Sequence, residues 1–402
     1  MTHRNIASVS WGDHLAFGEG DGRLDTPDAI ARRMARWRDD LDAGIVHWRA
    51  LDWGVARYSL SDQGNTRTEA GASPVPGLDE KVLVPRLAHD LGMEAYLYVT
   101  VFDEGWPLAP PEERAVSHHN PQHGRDTSFL TEFAMEHPEY MMVDRSGLVR
   151  QWGVPCLAYE AVRAEFRRRF TSLAAGMDFD GVFVCLRSQS RPADFADQFG
   201  FNEPVRRDYQ RIHGRSIDEE PFDAVAWREQ LGGYLTQLLA ELRGDLSALG
   251  KKLGVGAARG DVLGPPLGNA TLEWRDWIRR GLVNHLVIGQ NSSRCPSMWL
   301  DLWPMHRGGG YVQNYLSGEN LPPPDEHIQR DYAPVAAHGR TALYVARQWS
   351  ERNRTEEDNV LKCKGVSGLV FSTFRHDNPG PVARGNWWGL PHKNIQSPGF
   401  IR

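Results

Sequence analysis

Residues 160–188 read EAVRAEFRRRFTSLAAGMDFDGVFVCLRS, and the fold follows from how that stretch divides. Its first part is an amphipathic helical run closed by Gly176. Its second is a short β-rich run that ends on Arg187. A helix feeding directly into a short apolar strand is the repeating half of a parallel α/β sheet.

The same alternation extends in both directions. Eight strand-like segments can be read: NIASVSW (5–11), GIVHWRALDW (44–53), MEAYLYVTVFDEGWP (93–107), DGVFVCLRS (180–188), KLGVGAARG (252–260), NHLVIGQNSS (284–293), TALYVARQW (341–349) and GVSGLVFSTFRH (365–376). Amphipathic runs lie between them. The first of these opens with Thr26 as N-cap and Pro27 in the first turn, and the longest covers AWREQLGGYLTQLLAELRGDLSALG at 226–250. A polar Gly/Ser/Pro loop is expected around 61–78. The expectation is a single (β/α)8 TIM barrel over residues 1–402 with two long loop insertions on the carboxyl face, at about 107–152 and 292–320. Both insertions are longer than connectors need to be, which marks them as lids or subsite walls.

Five of the eight segments close on an arginine: Arg49, Arg187, Arg259, Arg347 and Arg375. The carboxyl ends of barrel strands share one mouth, where barrel enzymes do their chemistry. Guanidinium forks suit carboxylate, sulfate or phosphate groups, so the recurrence points to an anionic substrate. Taken singly, each arginine reads more readily as a surface ion-pair residue; the recurrence lifts the signal.

Composition bounds the function classes. Hydrophobic residues at 41% and charged residues at 24% describe a globular chain, and a net charge of −6 argues against a nucleic-acid partner because no domain-scale basic surface is available. The four cysteines, Cys156, Cys185, Cys295 and Cys363, show no CxxC spacing, so neither a disulfide framework nor a zinc knuckle is expected. His118, His119 and His123 cluster in SHHNPQHGRD without an acidic residue at ligand spacing, and no metal or other cofactor is expected. No stretch reaches the length of a membrane span, and the first residues, MTHRNIASVSWGD, lack a signal-peptide pattern, which gives a cytoplasmic expectation. Oligomeric state carries no signal in the sequence.

From residue 137 onward a longer pattern is visible: HPEYMMVDRSG (137–147), the turn in QWGVPCLAY (151–159), EAVRAEF (160–166), FDGVFVCLRS (179–188) and FGFNEPVRRDYQRIHGRSI (199–217). This order resembles the bacterial glycosyl-hydrolase-like (β/α)8 barrels related to the amylase and clan A glycosidases. The resemblance implies a carbohydrate substrate, and it makes Glu203, in Asn202-Glu203-Pro204, similar to the clan A acid/base residue. Two positions depart from the pattern. Strand four carries Cys185-Leu186-Arg187 where that family tends to place an acid, and strand seven ends Arg347-Gln348, so neither nucleophile carries over.

Glycoside hydrolysis ordinarily uses two carboxyl groups, one protonated and one ionised. Four candidates are Glu203, Asp261, Asp103 and Glu104, with Glu203 read as the acid and Asp261 as nucleophile or base. Glu203 also has a good structural reading, the favoured one, as an N-terminal helix carboxylate, and Asp261 reads as well as half of an Arg–Asp pair that only shapes its loop. Asp13 and Asp52 also fall at strand ends. The binding set comprises the five arginines with His14, Trp106, Gln290 and Asn291. Fourteen tryptophans, several near strand ends (Trp11, Trp48, Trp53, Trp106, Trp299, Trp303, Trp349), offer stacking faces for sugar rings or fill the core.

Three functions remain open. The first is a glycoside hydrolase acting on a sulfated or uronate-containing glycan. The second is a polysaccharide lyase with His14 or Tyr98 as base. The third is a barrel that binds glycans without turning them over.

Overall fold

The computed structural model describes residues 5–9, 24–50, 54–60, 64–71, 77–106, 128–186, 197–263, 270–289, 324–346 and 358–373. Eight parallel strands close into a barrel: β1 (Asn5–Val9), β2 (Ala43–Trp48), β3 (Glu94–Thr100), β4 (Gly181–Cys185), β5 (Lys252–Ala257), β6 (His285–Ile288), β7 (Ala342–Ala346) and β8 (Val366–Ser372). They pair strictly in chain order, and β8 returns to β1 through Ile6 opposite Val370. Seven lie within the segments read from the sequence, and β2 begins one residue earlier, at Ala43.

Among the described residues, six helices cover the outside: α1 (Pro27–Leu41), α2 (Glu80–Asp90), α3 (Glu160–Ala175), α4 (Glu203–His213), α5 (Ala224–Ala248) and α6 (Trp274–Arg279). In α1 the Thr26 side chain accepts from the Ala29 amide at 3.2 Å, and Ile30, Met34, Trp37 and Leu41 form the buried stripe. A further helical stretch, 324–338, contains one π turn at Ile328–Tyr332 and leads into β7. Because strands and helices alternate, strand carboxyl ends and helix starts share one face.

Strand alternation fills the barrel. Ile6, Ile45, Tyr96, Tyr98, Phe183, Cys185, Val287, Tyr344 and Val370 form the interior cluster. The larger cluster, including Trp37, Val46, Leu97, Phe166, Val184 and Leu239, packs between strands and helices. Two close approaches explain glycines. A Cβ on Gly254 of β5 would collide with the His285 imidazole, and a Cβ on Gly232 inside α5 would collide with the Thr271 carbonyl.

The stretches read as loops contain more structure than expected. Arg57–Leu60, Thr66–Thr68, Ser128–Thr131 and Gly105–Trp106 make a four-stranded antiparallel sheet, so the polar loop around 61–78 contributes an edge strand. Within the 107–152 insertion, residues from 128 onward form a strand, the short helix Glu132–Glu136 and a hairpin of Met141–Val143 with Arg150–Pro155. The rest of that insertion, and all of 292–320, lie outside the described residues. No helix among the described residues is long and apolar enough to cross a membrane.

Candidate active site

At the exits of β2 and β3 two oppositely charged side chains meet. Residues 45 and 47 of β2 point into the barrel, and the same alternation carries Arg49 to the inner side of the rim. Its Nη2 donates to Asp103 Oδ2 at 2.9 Å, with the two side chains 7% and 1% exposed. The Arg49 guanidinium carbon also lies 5.7 Å from the centre of the Tyr98 ring on β3. An arginine, a carboxylate and a phenol therefore converge over the barrel interior.

Glu104, the next residue, has a different set of partners. Arg169 of α3 donates to its two oxygens at 2.8 and 3.2 Å, and the Thr131 hydroxyl donates at 2.6 Å. Its amide donates to the Gly153 carbonyl, and its own carbonyl accepts from Thr131. Every part of Glu104 ties the antiparallel sheet and the 141–155 hairpin to α3.

Arg259 and Asp261 leave β5 together and then separate. Asp261 is 60% exposed; its Oδ1 accepts from the Trp274 indole at 2.8 Å and from Arg275 at 2.6 Å, at the start of α6. Arg275 covers the Trp274 ring at 4.1 Å, and that ring stacks on Tyr332 at 4.0 Å. The Tyr332 hydroxyl accepts from the Gly260 amide at 2.8 Å, which fastens the 324–338 helix to the β5 exit. Burial raises the Tyr332 phenol well above its ordinary range. His327, five residues earlier and 6% exposed, is pushed below the usual imidazole value first by burial and then by the charge of Arg259.

Glu203 opens α4 and is 70% exposed, with Arg207 at 3.5 Å one turn on. The preceding Asn202 accepts from the Val143 amide at 3.2 Å and donates to the Met141 carbonyl at 2.9 Å, docking α4 against the hairpin.

Below the rim, His47 and His285 face each other across the barrel with Nε2 atoms 3.0 Å apart. His47 stacks on Phe183 at 3.8 Å. Burial pushes His285 down to about 3 and His47 well below its ordinary value, so both are neutral at pH 7. Neither histidine was among the sequence candidates. His47 could have been found from the inward alternation of GIVHW, whereas His285 and His327 gave no local signal.

Arg187, Arg347, Arg375, His14, Gln290 and Asn291 lie outside the described residues, as do Asp13, Asp52 and the side chain of Trp106. The structure thus brings Arg49, Asp103 and Tyr98 together, fastens the residue after Arg259 to Tyr332 of the 324–338 helix, and gives Glu104, Asp261 and Glu203 separate contacts. Among the described residues, no cluster of three or more histidines, cysteines or carboxylates could hold a metal ion.

No protein-family model matches the chain. No curated protein matches it either. Solved structures do match. The PgaB (BpsB) glycoside hydrolase domain from Bordetella bronchiseptica aligns at 12% identity and a TM-score of 0.52, over 94% of this chain and 96% of that one. The catalytic domain of beta-amylase from Paenibacillus polymyxa aligns at 11% identity and a TM-score of 0.52, over 99% of this chain and 96% of that one. Alpha-L-fucosidase isoenzyme 2 from Paenibacillus thiaminolyticus aligns at 13% identity and a TM-score of 0.48; this chain is covered over 99% but spans only half the length of the fucosidase. At these identities the likeness is one of fold, and the shared fold is the (β/α)8 barrel implied by the resemblance over residues 137–217.

Proposed function

We propose that the chain is a glycoside hydrolase that cleaves an anionic, sulfated or uronate-bearing glycan at the carboxyl-end mouth of its barrel. The buried Arg49–Asp103 pair is the observation that carries this reading. A carboxylate 1% exposed, ion-paired at 2.9 Å and placed at a strand exit of the barrel is costly to keep, and the C-terminal rim is where barrels keep their reacting groups. Asp103 is accordingly the group we assign to the ionised role of nucleophile or water-activating base. The proton donor must be a carboxyl group that a bound sugar covers, since burial favours the protonated form. Exposed Glu203 and Asp261 meet that condition; Glu104, locked between Arg169 and Thr131, does not. Arg259 supplies charge for the substrate anion from the β5 side, with Arg187, Arg347 and Arg375 assigned by their strand-end positions in the sequence. The likeness in fold to a glycoside hydrolase domain and to a beta-amylase catalytic domain supports a carbohydrate substrate by analogy alone.

A polysaccharide lyase is the second reading, favoured by Tyr98 beneath Arg49. A guanidinium that neutralises a uronate carboxylate eases removal of the adjacent proton, and a neighbouring phenolate can take it. Incubation with a uronate polysaccharide separates the two. New reducing ends without ultraviolet absorbance from an unsaturated product identify the hydrolase, and matched growth of both signals identifies the lyase. Release of neither from a broad panel of anionic glycans overturns both readings.

A further inference from the structure

His327 sits in the helix that leads into β7, one turn before Asp331, and its Nε2 lies 3.1 Å from Asp331 Oδ2. Asp331 is itself gripped by Arg330, at 2.8 and 3.1 Å, and that contact lowers its carboxyl below the ordinary range. A neutral imidazole facing a carboxylate keeps its proton on the facing nitrogen. The other nitrogen, Nδ1, then carries a lone pair. It is buried, and no hydrogen-bond partner reaches it among the described residues. Nitrogen and oxygen atoms buried in folded proteins are nearly always paired, so an unpaired acceptor here points to a partner that the described residues do not supply.

Two further features place the helix that carries His327. The Tyr332 hydroxyl bonds to both the amide and the carbonyl of Gly260, holding the helix against the β5 exit. Arg259, the residue before Gly260, lies close enough for its charge to bear on the imidazole. The backbone after His327 is a π turn, an irregularity that occurs frequently at functional sites.

We propose that His327 is a specificity-determining residue of the mouth, its Nδ1 accepting a hydrogen bond from a free hydroxyl next to the acidic group that Arg259 holds. This rests on the reading of the mouth as an anionic-glycan site and narrows it. A sugar with one acid group beside an unsubstituted hydroxyl fits, because the hydroxyl brings a proton to the lone pair. A sugar with that hydroxyl methylated or sulfated brings only acceptors and is rejected. Burial and the Arg259 charge, which both disfavour an imidazolium, keep the lone pair available at neutral pH.

The test is calorimetric titration of the full chain with the methyl glycoside of glucuronate and with its 4-O-methyl ether. The free hydroxyl form should bind roughly tenfold more tightly or better, since a site built to pair a hydroxyl discriminates strongly against its loss. His327→Phe keeps the ring and removes the acceptor, and should bring the ratio close to one. His327→Asn, whose amide oxygen falls near the Nδ1 position, should restore part of it. Should His327→Phe not fold, the wild-type ratio and His327→Asn decide the matter. A wild-type ratio near one, or an unchanged ratio in His327→Phe, overturns the inference. If at the same time Arg259→Gln weakens both probes, the anion-site reading stands alone. If Arg259→Gln changes neither affinity, or the wild type binds neither probe, the reading and the inference fall together.

Discussion

Arg49 and Asp103, fifty-four positions apart in sequence, form a 2.9 Å ion pair with both side chains nearly sealed from solvent. Breaking such a pair on one side strands a buried charge, whereas replacing both partners with apolar groups need not destabilise. Asp103→Asn should therefore cost about 3 kcal/mol in stability and abolish turnover. The double variant Arg49→Met with Asp103→Leu should recover most of the stability and none of the turnover. Denaturant midpoints and reducing-end rates, measured on the same preparations, check both halves.

Glu104 makes the opposite prediction although it is the adjacent residue. Its oxygens serve Arg169 and Thr131, so Glu104→Gln should lower stability by about 3 kcal/mol and leave kcat within a few-fold of wild type below its melting temperature. A thermal melt alongside a rate measured well below it tests this. A large fall in kcat with no change in melting would place Glu104 in the chemistry.

The histidine pair predicts acid sensitivity. Both folded-state values lie below the ordinary one, His285 at about 3. Below about pH 6.5 the unfolded chain therefore binds protons that the folded chain refuses. This contribution is complete above about pH 6.5, falls by up to about 1.4 kcal/mol per pH unit for each histidine as pH drops, and levels off only below the folded values. Denaturant midpoints for wild type and His285→Phe between neutral and mildly acidic pH should diverge, with the variant less sensitive. Parallel curves would show that the pair does not drive the loss.

Gly232 tests whether packing outweighs propensity. Alanine gains about 1 kcal/mol over glycine inside an exposed helix, yet a Cβ at this position of α5 would collide with the Thr271 carbonyl. Gly232→Ala should lower the melting temperature, while Gly233→Ala, which meets nothing nearby, should raise it or leave it unchanged.

The barrel was legible because its strands are short apolar runs between amphipathic helices, and each run of that kind became a strand. The antiparallel sheet at the mouth was not, since Thr66–Thr68 and Ser128–Thr131 are polar or brief and are held by pairing with distant residues. In the site, a carboxylate at a strand exit was readable at Asp103 and Glu104, but their different pairings depend on partners fifty-four positions away at Arg49 and sixty-five at Arg169. His327 was invisible because its meaning comes from Arg259 and Gly260, far along the chain.

The central claim is tested most directly by reducing-end release from one polysaccharide in two forms, its native sulfated or uronate form and the same backbone desulfated or carboxyl-reduced. The account predicts that kcat/KM falls at least about tenfold when the charge is removed. It also predicts that Arg259→Lys and Arg187→Lys lose most of that advantage, because the bidentate fork is gone while the charge remains. Equal rates on the two forms, or wild-type preference for the charged form in both arginine variants, would contradict it.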